Sequence, residues 1–259
     1  MITAGGLMFP PAVFSYLFAI RGFACYPIIS TSRDLWNDHL MEDWELFLRK
    51  QIFSDYLRDR RSDADEKMNE LILRKNGGKF YRYRPIDDAE VELIRNGNLY
   101  LCRAIRFDGN GDGYVRFKSY LSCFTDDVKS IPMWFDYADQ GRGMCLEYTY
   151  EHIKQFAEAN KLIFLPVMYD DEETVFSGKL GSLLSMMTKS TDKAGEYEWR
   201  LWKVDMKSSD IGKIMSSINP VRIHIGENAD TSTGTYDELM RVAEMKGIEV
   251  EQSAKTVFF

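Results

Sequence analysis

From Ser119 to Tyr148 the chain reads SYLSCFTDDVKSIPMWFDYADQGRGMCLEY, and this stretch narrows what the whole can fold into. Tyr120, Ser122 and Phe124 alternate with Leu121 and Cys123, the period-two pattern of a strand with a distinct side to each face. Asp126 and Asp127 end that strand and stand where they can cap the next element. Met133, Trp134 and Tyr137 then recur at helical spacing. Gly141-Arg142-Gly143 breaks the helix, and Met144 to Tyr148 runs on as a second apolar strand. Two strands joined across an aromatic turn make the wall of a pocket. Taken alone, Trp134 and Tyr137 read as ordinary core aromatics, because aromatics at helical spacing are usually buried.

The chain has 259 residues, room for one large domain or a domain with an appendage. Its net charge of -7 argues against a general nucleic-acid surface, which needs clustered Lys and Arg. The four cysteines show no C-x-x-C spacing and three lie in apolar runs, so they read as buried thiols of a cytoplasmic protein. The three histidines, His39, His152 and His224, are far apart and outside any Cys/His ligand motif, so no metal is expected.

Residues 1–76 read as an extension. Leu7 to Ile20 is apolar, but Pro10 and Pro11 interrupt it, and it falls short of the ~20 residues that cross a bilayer. It reads as an arm that packs on the domain or on a partner protein. From Ser32 to Arg74 the spacing predicts helix, with Trp36, Leu40, Trp44 and Phe47 on one face, extended by Leu48 and Ile52. Asp55 to Lys67 mixes both charges, as a solvated helix or linker does. Asn76-Gly77-Gly78 stops the helix and sets a boundary before a core of residues 77–259.

The core opens with the strand Lys79 to Pro85. Phe80, Arg82 and Arg84 point to one side of it, Tyr81 and Tyr83 to the other. A helix over 87–96 and a strand over 99–105 follow. The run DGNGDG (108–113) resembles half of a calcium-binding loop, but Ser119 stands where the bidentate Glu belongs, so it reads as a turn. Helices are expected over 150–160, 177–188 and 236–246, and strands over 162–169, 196–204, 220–226 and 248–259. This mixture lacks a regular βαβ alternation, which predicts an α+β fold with a mixed, largely antiparallel split sheet and flanking helices. Dinucleotide-binding, Walker A and nucleophile-elbow motifs do not occur.

Two weak pairs stand out. Glu196 and Glu198, two apart on an expected strand, emerge on one face, where one of them can take a raised pKa for acid–base work. An ordinary strand face with Glu198 paired to Arg200 explains them as well. Arg82 and Arg84 form a same-face guanidinium pair suited to a phosphate or carboxylate, or to an ion pair.

The series YRYRP (81–85), SCFTDD (122–127), MWFDYADQGRGMCLEY (133–148) and EYEWRL (196–201) resembles a prokaryotic domain-of-unknown-function family, number twenty-nine seventy-one. The match spans roughly Gly77 to Phe259. The motif order is in turn similar to the Arg–Ser–Glu layout of ADP-ribosyltransferases. That resemblance implies NAD as substrate, with Arg84 or Arg82 on its phosphates and Ser122 or Thr125 in the serine role. It implies Trp134 or Tyr137 on the nicotinamide, Glu198 stabilising the oxocarbenium, and Glu196 orienting or deprotonating the acceptor. A protein or nucleic acid acceptor and a toxin or phage-defence role go with it. Two alternatives compete: a non-catalytic module that senses a nucleotide or partner, and a magnesium-dependent nuclease using Asp126, Asp127 and Asp136 with the glutamates.

Overall fold

The computed structural model describes residues 41–75, 77–104, 113–171 and 186–252. The expected apolar arm, the turn expected at 108–113 but for Gly113, and most of the helix expected over 177–188 lie outside these residues. The described residues begin with two helices, α1 (Asp43–Leu57) and α2 (Arg61–Lys75). Leu48, Ile52 and Phe53 of α1 and Met68, Leu71 and Ile72 of α2 join one apolar cluster with the sheet. The buried face of α1 is rotated from the one its sequence suggests. Phe47 is 64% exposed, and the inward line runs Glu45, Leu48, Arg49, Ile52. That line keeps helical spacing but carries two charged residues into the core, which a purely apolar periodicity cannot detect. Asp55, expected in a solvated tract, is also buried, with Lys67 Nζ at 2.6 Å and Arg60 as its partners.

The sheet is built from β1 (Lys79–Arg84), β2 (Asn98–Arg103), β3 (Ser119–Thr125), β4 (Met144–Thr149), β5 (Ile163–Pro166), β8 (Glu198–Val204), β9 (Gly212–Ser216), β10 (Arg222–Ile225) and β11 (Glu249–Gln252). A separate parallel pair joins β6 (Met168–Tyr169) to β7 (Thr188–Lys189). The main path is β11-β10-β4-β1-β3-β2-β9, with β8 and then β5 branching from β3. All its pairings are antiparallel except β10 with β11.

The sheet forks at β3. Along one edge β3 pairs with β8 from Ser119↔Val204 to Thr125↔Glu198. On its other edge Tyr120 and Leu121 pair with β2, whereas Thr125 pairs with Tyr81 of β1. The expected split sheet is therefore an α+β arrangement in which β1 and β2 part beside residues 122–124. Among the described residues five more helices flank it: α3 (Asp88–Asn96), α4 (Gly113–Lys118), α5 (Ile131–Tyr137), α6 (Tyr150–Asn160) and α7 (Gly234–Lys246). The short helix α4 and the strand β9 had no clear periodicity in the sequence.

Register divides the side chains between two faces, because residues directly opposed in an antiparallel pair point the same way. One face carries Phe80, Phe124, Tyr148 and Trp199, and these rings pack mostly edge to face at centroid distances of 4.9 Å (Phe80–Trp199) and 5.5 Å (Phe124–Tyr148). Phe164 of β5 adds an edge contact to Phe80 at 5.1 Å. The opposite face carries Tyr81, Tyr83, Cys123, Thr125, Cys145, Glu147, Glu198 and Arg200. Helix α5 covers part of it, with Trp134 edge-on to Tyr83 at 5.0 Å.

Capping departs from expectation. Ser130, not Asp126 or Asp127, caps α5 by accepting from the Met133 amide. Cys123 and Cys145 are free thiols, whereas Cys102 on β2 is disulfide-bonded rather than the free thiol expected. Among the described residues no helix is long and apolar enough to cross a membrane.

The turn after α5 packs onto β10 through bare backbone. Gly226 donates to the Gly143 carbonyl at 2.9 Å, and a Cβ on Gly226 would sit 2.1 Å from the Gly141 carbonyl oxygen. Backbone cannot swing away as a side chain can. Gly226→Ala is therefore expected to destabilise the fold by about 1–3 kcal/mol in urea denaturation, whereas Gly234→Ala, with open space at its Cβ, should show no such clash.

Candidate functional site

The two glutamates singled out by the sequence do meet, though not by the expected route. The strand begins at Glu198, one residue after a sharp kink. Residues Thr191–Glu196 form a 3-10 turn, and Tyr197 adopts the left-handed conformation at φ 46°. That conformation costs a non-glycine residue about 1–2 kcal/mol. The surroundings hold it: the Asp126 amide donates to the Tyr197 carbonyl at 3.4 Å, and Lys75 Nζ lies 3.9 Å from the Tyr197 ring centre. The kink takes Glu196 off the strand, yet brings its carboxylate back beside that of Glu198. Both contact one cation, Lys189 of β7, whose Nζ lies 3.0 Å from Glu198 Oε2.

Glu198 is also held from its own strand. Arg200 grips it with two bonds, Nε to Oε1 at 2.8 Å and Nη2 to Oε2 at 3.0 Å. The guanidinium then reaches on to the Met186 carbonyl. The Cys123 thiol, directly opposite Arg200 on β3, lies beside the same carboxylate.

Charge in this centre is sharply divided. Burial opposes ionisation of Glu198, but Arg200 and Lys189 outweigh it and hold the carboxyl well below its ordinary 4.5. Glu196 has the same burial, Lys189 as its main relief and Glu198 as a like charge beside it; its carboxyl is pushed up. Burial would neutralise Lys189, but the two carboxylates keep it charged. Burial, reinforced by the glutamates, pushes up Tyr137, while burial and Glu198 push up Cys123, so both stay protonated at neutral pH. The centre therefore holds one fixed carboxylate and one that can take a proton.

The remaining residues proposed from sequence separate. Tyr137 lies close to the glutamates, and Thr125 is opposite Glu198, with Oγ1 accepting from the Asp127 amide at 3.2 Å. Trp134 is 3% exposed and packs on Tyr83, a core aromatic rather than an open stacking surface. Arg82, Arg84 and Ser122 lie on the opposite face of the sheet. Arg84 is bound to Glu90 of α3 (Nε to Oε1 2.5 Å), and Arg82 sits 5.8 Å over the Phe124 ring while bonding Tyr148. Ser122 is buried beside the fork, and among the described residues its Oγ has no hydrogen-bond partner. The structure thus does not bring the β1 arginines or Ser122 to Glu198. A one-residue step in a strand reverses the face, and the sequence alone does not show which face of each strand the fold aligns.

Lys189 and Arg49 escaped sequence reading, and so did the settings of Asp126 and His224. Lys189 carries no motif; only the pairing of β6 with β7 delivers it. Arg49 of α1 is fully buried and donates to the Glu198 carbonyl at 2.8 Å and to Asp126 Oδ2 at 3.1 Å. Burial pushes Asp126 up to about 6 against the pull of Arg49 and Lys75, and Trp199 Nε1 also donates to it. Farther along the same face His224 lies between two carboxylates, with Nε2 3.0 Å from Glu147 and Nδ1 2.7 Å from Glu251. Among the described residues, no group of three or more His, Cys, Asp or Glu side chains is arranged to hold a metal ion.

Comparisons with protein-family models, with curated proteins and with solved structures return no match to this chain.

The charge state of Glu198 fixes a sign for stability. Its folded carboxyl lies below the ordinary 4.5, so its contribution is complete above that value and drains away as pH falls through the folded value. Glu198→Gln leaves Lys189 and Arg200 short of a counter-charge and is expected to cost about 3–5 kcal/mol near neutral pH. The gap between wild type and variant in urea denaturation should narrow as the solution is taken below about pH 4.5.

Proposed function

We propose that Glu198 and Glu196 form a catalytic carboxylate pair that cleaves the nicotinamide–ribose bond of NAD and passes ADP-ribose to an acceptor. One observation carries this reading: two buried glutamates converge on a single lysine, with one held ionised and the other pushed toward protonation. Paired titratable groups driven apart in this way mark acid–base assignments. As the glycosidic bond breaks, its electron pair leaves with nicotinamide and positive charge develops on the ribose. A fixed carboxylate such as Glu198 stabilises that charge, at about 2.7–4 kcal/mol per preorganised contact. Glu196 takes the proton of the incoming acceptor, a role suited to a raised pKa.

The β1 arginines and Ser122 lie behind the sheet, so the reading rests on the carboxylate pair and Tyr137 rather than on the full Arg–Ser–Glu layout. Its wider form is a cytoplasmic toxin or phage-defence effector that modifies a protein or nucleic acid. A second reading has its own support. Both Glu198 oxygens are already engaged by Arg200 and Lys189, as suits a non-catalytic module whose charges fix a binding surface.

Nicotinamide release from NAD by the purified full chain separates the two. The catalytic reading expects release, with Glu198→Gln lowering it by about 100-fold or more and Glu196→Gln by about 100-fold. Expression of the wild type should then arrest growth, and Glu198→Gln should relieve it. A wild type that neither releases nicotinamide nor labels any lysate component with ADP-ribose overturns the catalytic reading.

A further inference from the structure

We propose that Arg49 is a positioning residue for the carboxylate pair, so that helix α1, ahead of the sheet, is a working part of the site. The inference rests on the reading of Glu198 and Glu196 above and extends it to a segment outside the motif-bearing core.

Arg49 has no exposed surface, and its guanidinium spends its donors in two directions. One direction is a closed charge cluster. Nε and Nη2 bond Glu45 Oε1 at 3.0 and 2.9 Å, and Nη2 bonds Asp126 Oδ2 at 3.1 Å. Lys75 adds a second cation, 2.7 Å from Glu45 Oε2. Two cations thus balance two carboxylates. The other direction is Nη1, which donates to the carbonyls of Glu198 at 2.8 Å and Val167 at 3.2 Å.

Those carbonyls are where position matters. The Glu198 carbonyl also accepts from the Val167 amide at 2.9 Å, while the Glu198 amide donates to the Tyr169 hydroxyl at 2.8 Å. The backbone of Glu198 is therefore gripped from both sides, one residue after the strained Tyr197. The Arg49 guanidinium also lies 5.8 and 5.6 Å from the Tyr169 and Trp199 ring centres. Loss of Nη1 frees the Glu198 carbonyl to rotate, and its carboxylate moves relative to Lys189 and Glu196. A lysine at this site keeps the charge but not the planar fork that serves carboxylates and carbonyls together.

The test uses the full chain with Arg49→Lys, which retains the cation, and Tyr169→Phe, which loosens the same backbone from the other side without altering the charge cluster. The first readout needs no turnover: iodoacetamide alkylation of Cys123, followed by peptide mass mapping, with buried Cys145 as the control for general loosening. Burial pushes the Cys123 thiol up and the Glu198 carboxylate beside it adds to that, so the thiol stays protonated. Displacement of Glu198 is expected to speed Cys123 alkylation about 10-fold while Cys145 stays at the wild-type rate. The second readout is nicotinamide release, where kcat should fall about 100-fold with KM nearly unchanged. Wild-type alkylation of Cys123 in both variants, or Cys123 and Cys145 rising together, overturns the positioning role. A wild type inactive toward NAD removes the catalytic reading instead, and the alkylation result still decides whether Arg49 sets the place of Glu198.

Discussion

The start of β8 depends on charges that are buried in pairs. Arg49, Glu45, Asp126 and Lys75 lie on one side of the Glu198 backbone, and Arg200, Lys189 and Glu196 surround its side chain. None of these groups can be taken from water alone without a large penalty, so each fixes the position of its partner. The cost of that desolvation is offset only while the geometry is kept. This is why a non-glycine residue, Tyr197, is held in the left-handed region between the two clusters. It is also why helix α1 is tied to the start of β8 although it lies far from that strand in the sequence.

The fork in the sheet explains how one chain builds two different sides from the same strands. Where β1 and β2 part from β3, residues 122–124 lose a neighbour on one edge but keep β8 on the other. One face is filled by interlocking aromatic rings and by Arg84 bonded to Glu90. The other is lined by ionisable groups from Glu198 across to Glu147 and His224. Its small apolar patch under α5, with Tyr83, Met133 and Trp134, excludes water from part of this face. A low-dielectric wall strengthens the fields of the charges beside it, which is the condition under which one carboxylate can stay ionised while its neighbour takes a proton.

The sequence by itself determined the elements whose signals are local. Alternation in 119–125, the glycine turn at 141–143, the helix over 150–160 and the two-sided strand KFYRYR all formed where their signals stand, because alternation, turn glycines and helical spacing act within a few residues of chain. The E-x-E pair was also legible as a place, since two carboxylates so close must interact. Only the tertiary structure decided the rest. The kink at Tyr197, the arrival of Lys189 and the burial of Arg49 depend on partners more than a turn or strand away, which no local pattern encodes. Register decided that Arg82, Arg84 and Ser122 stand behind the sheet while Glu198 stands before it. A strand carries both faces in its sequence; hydrogen bonding to its neighbours chooses which residues share one.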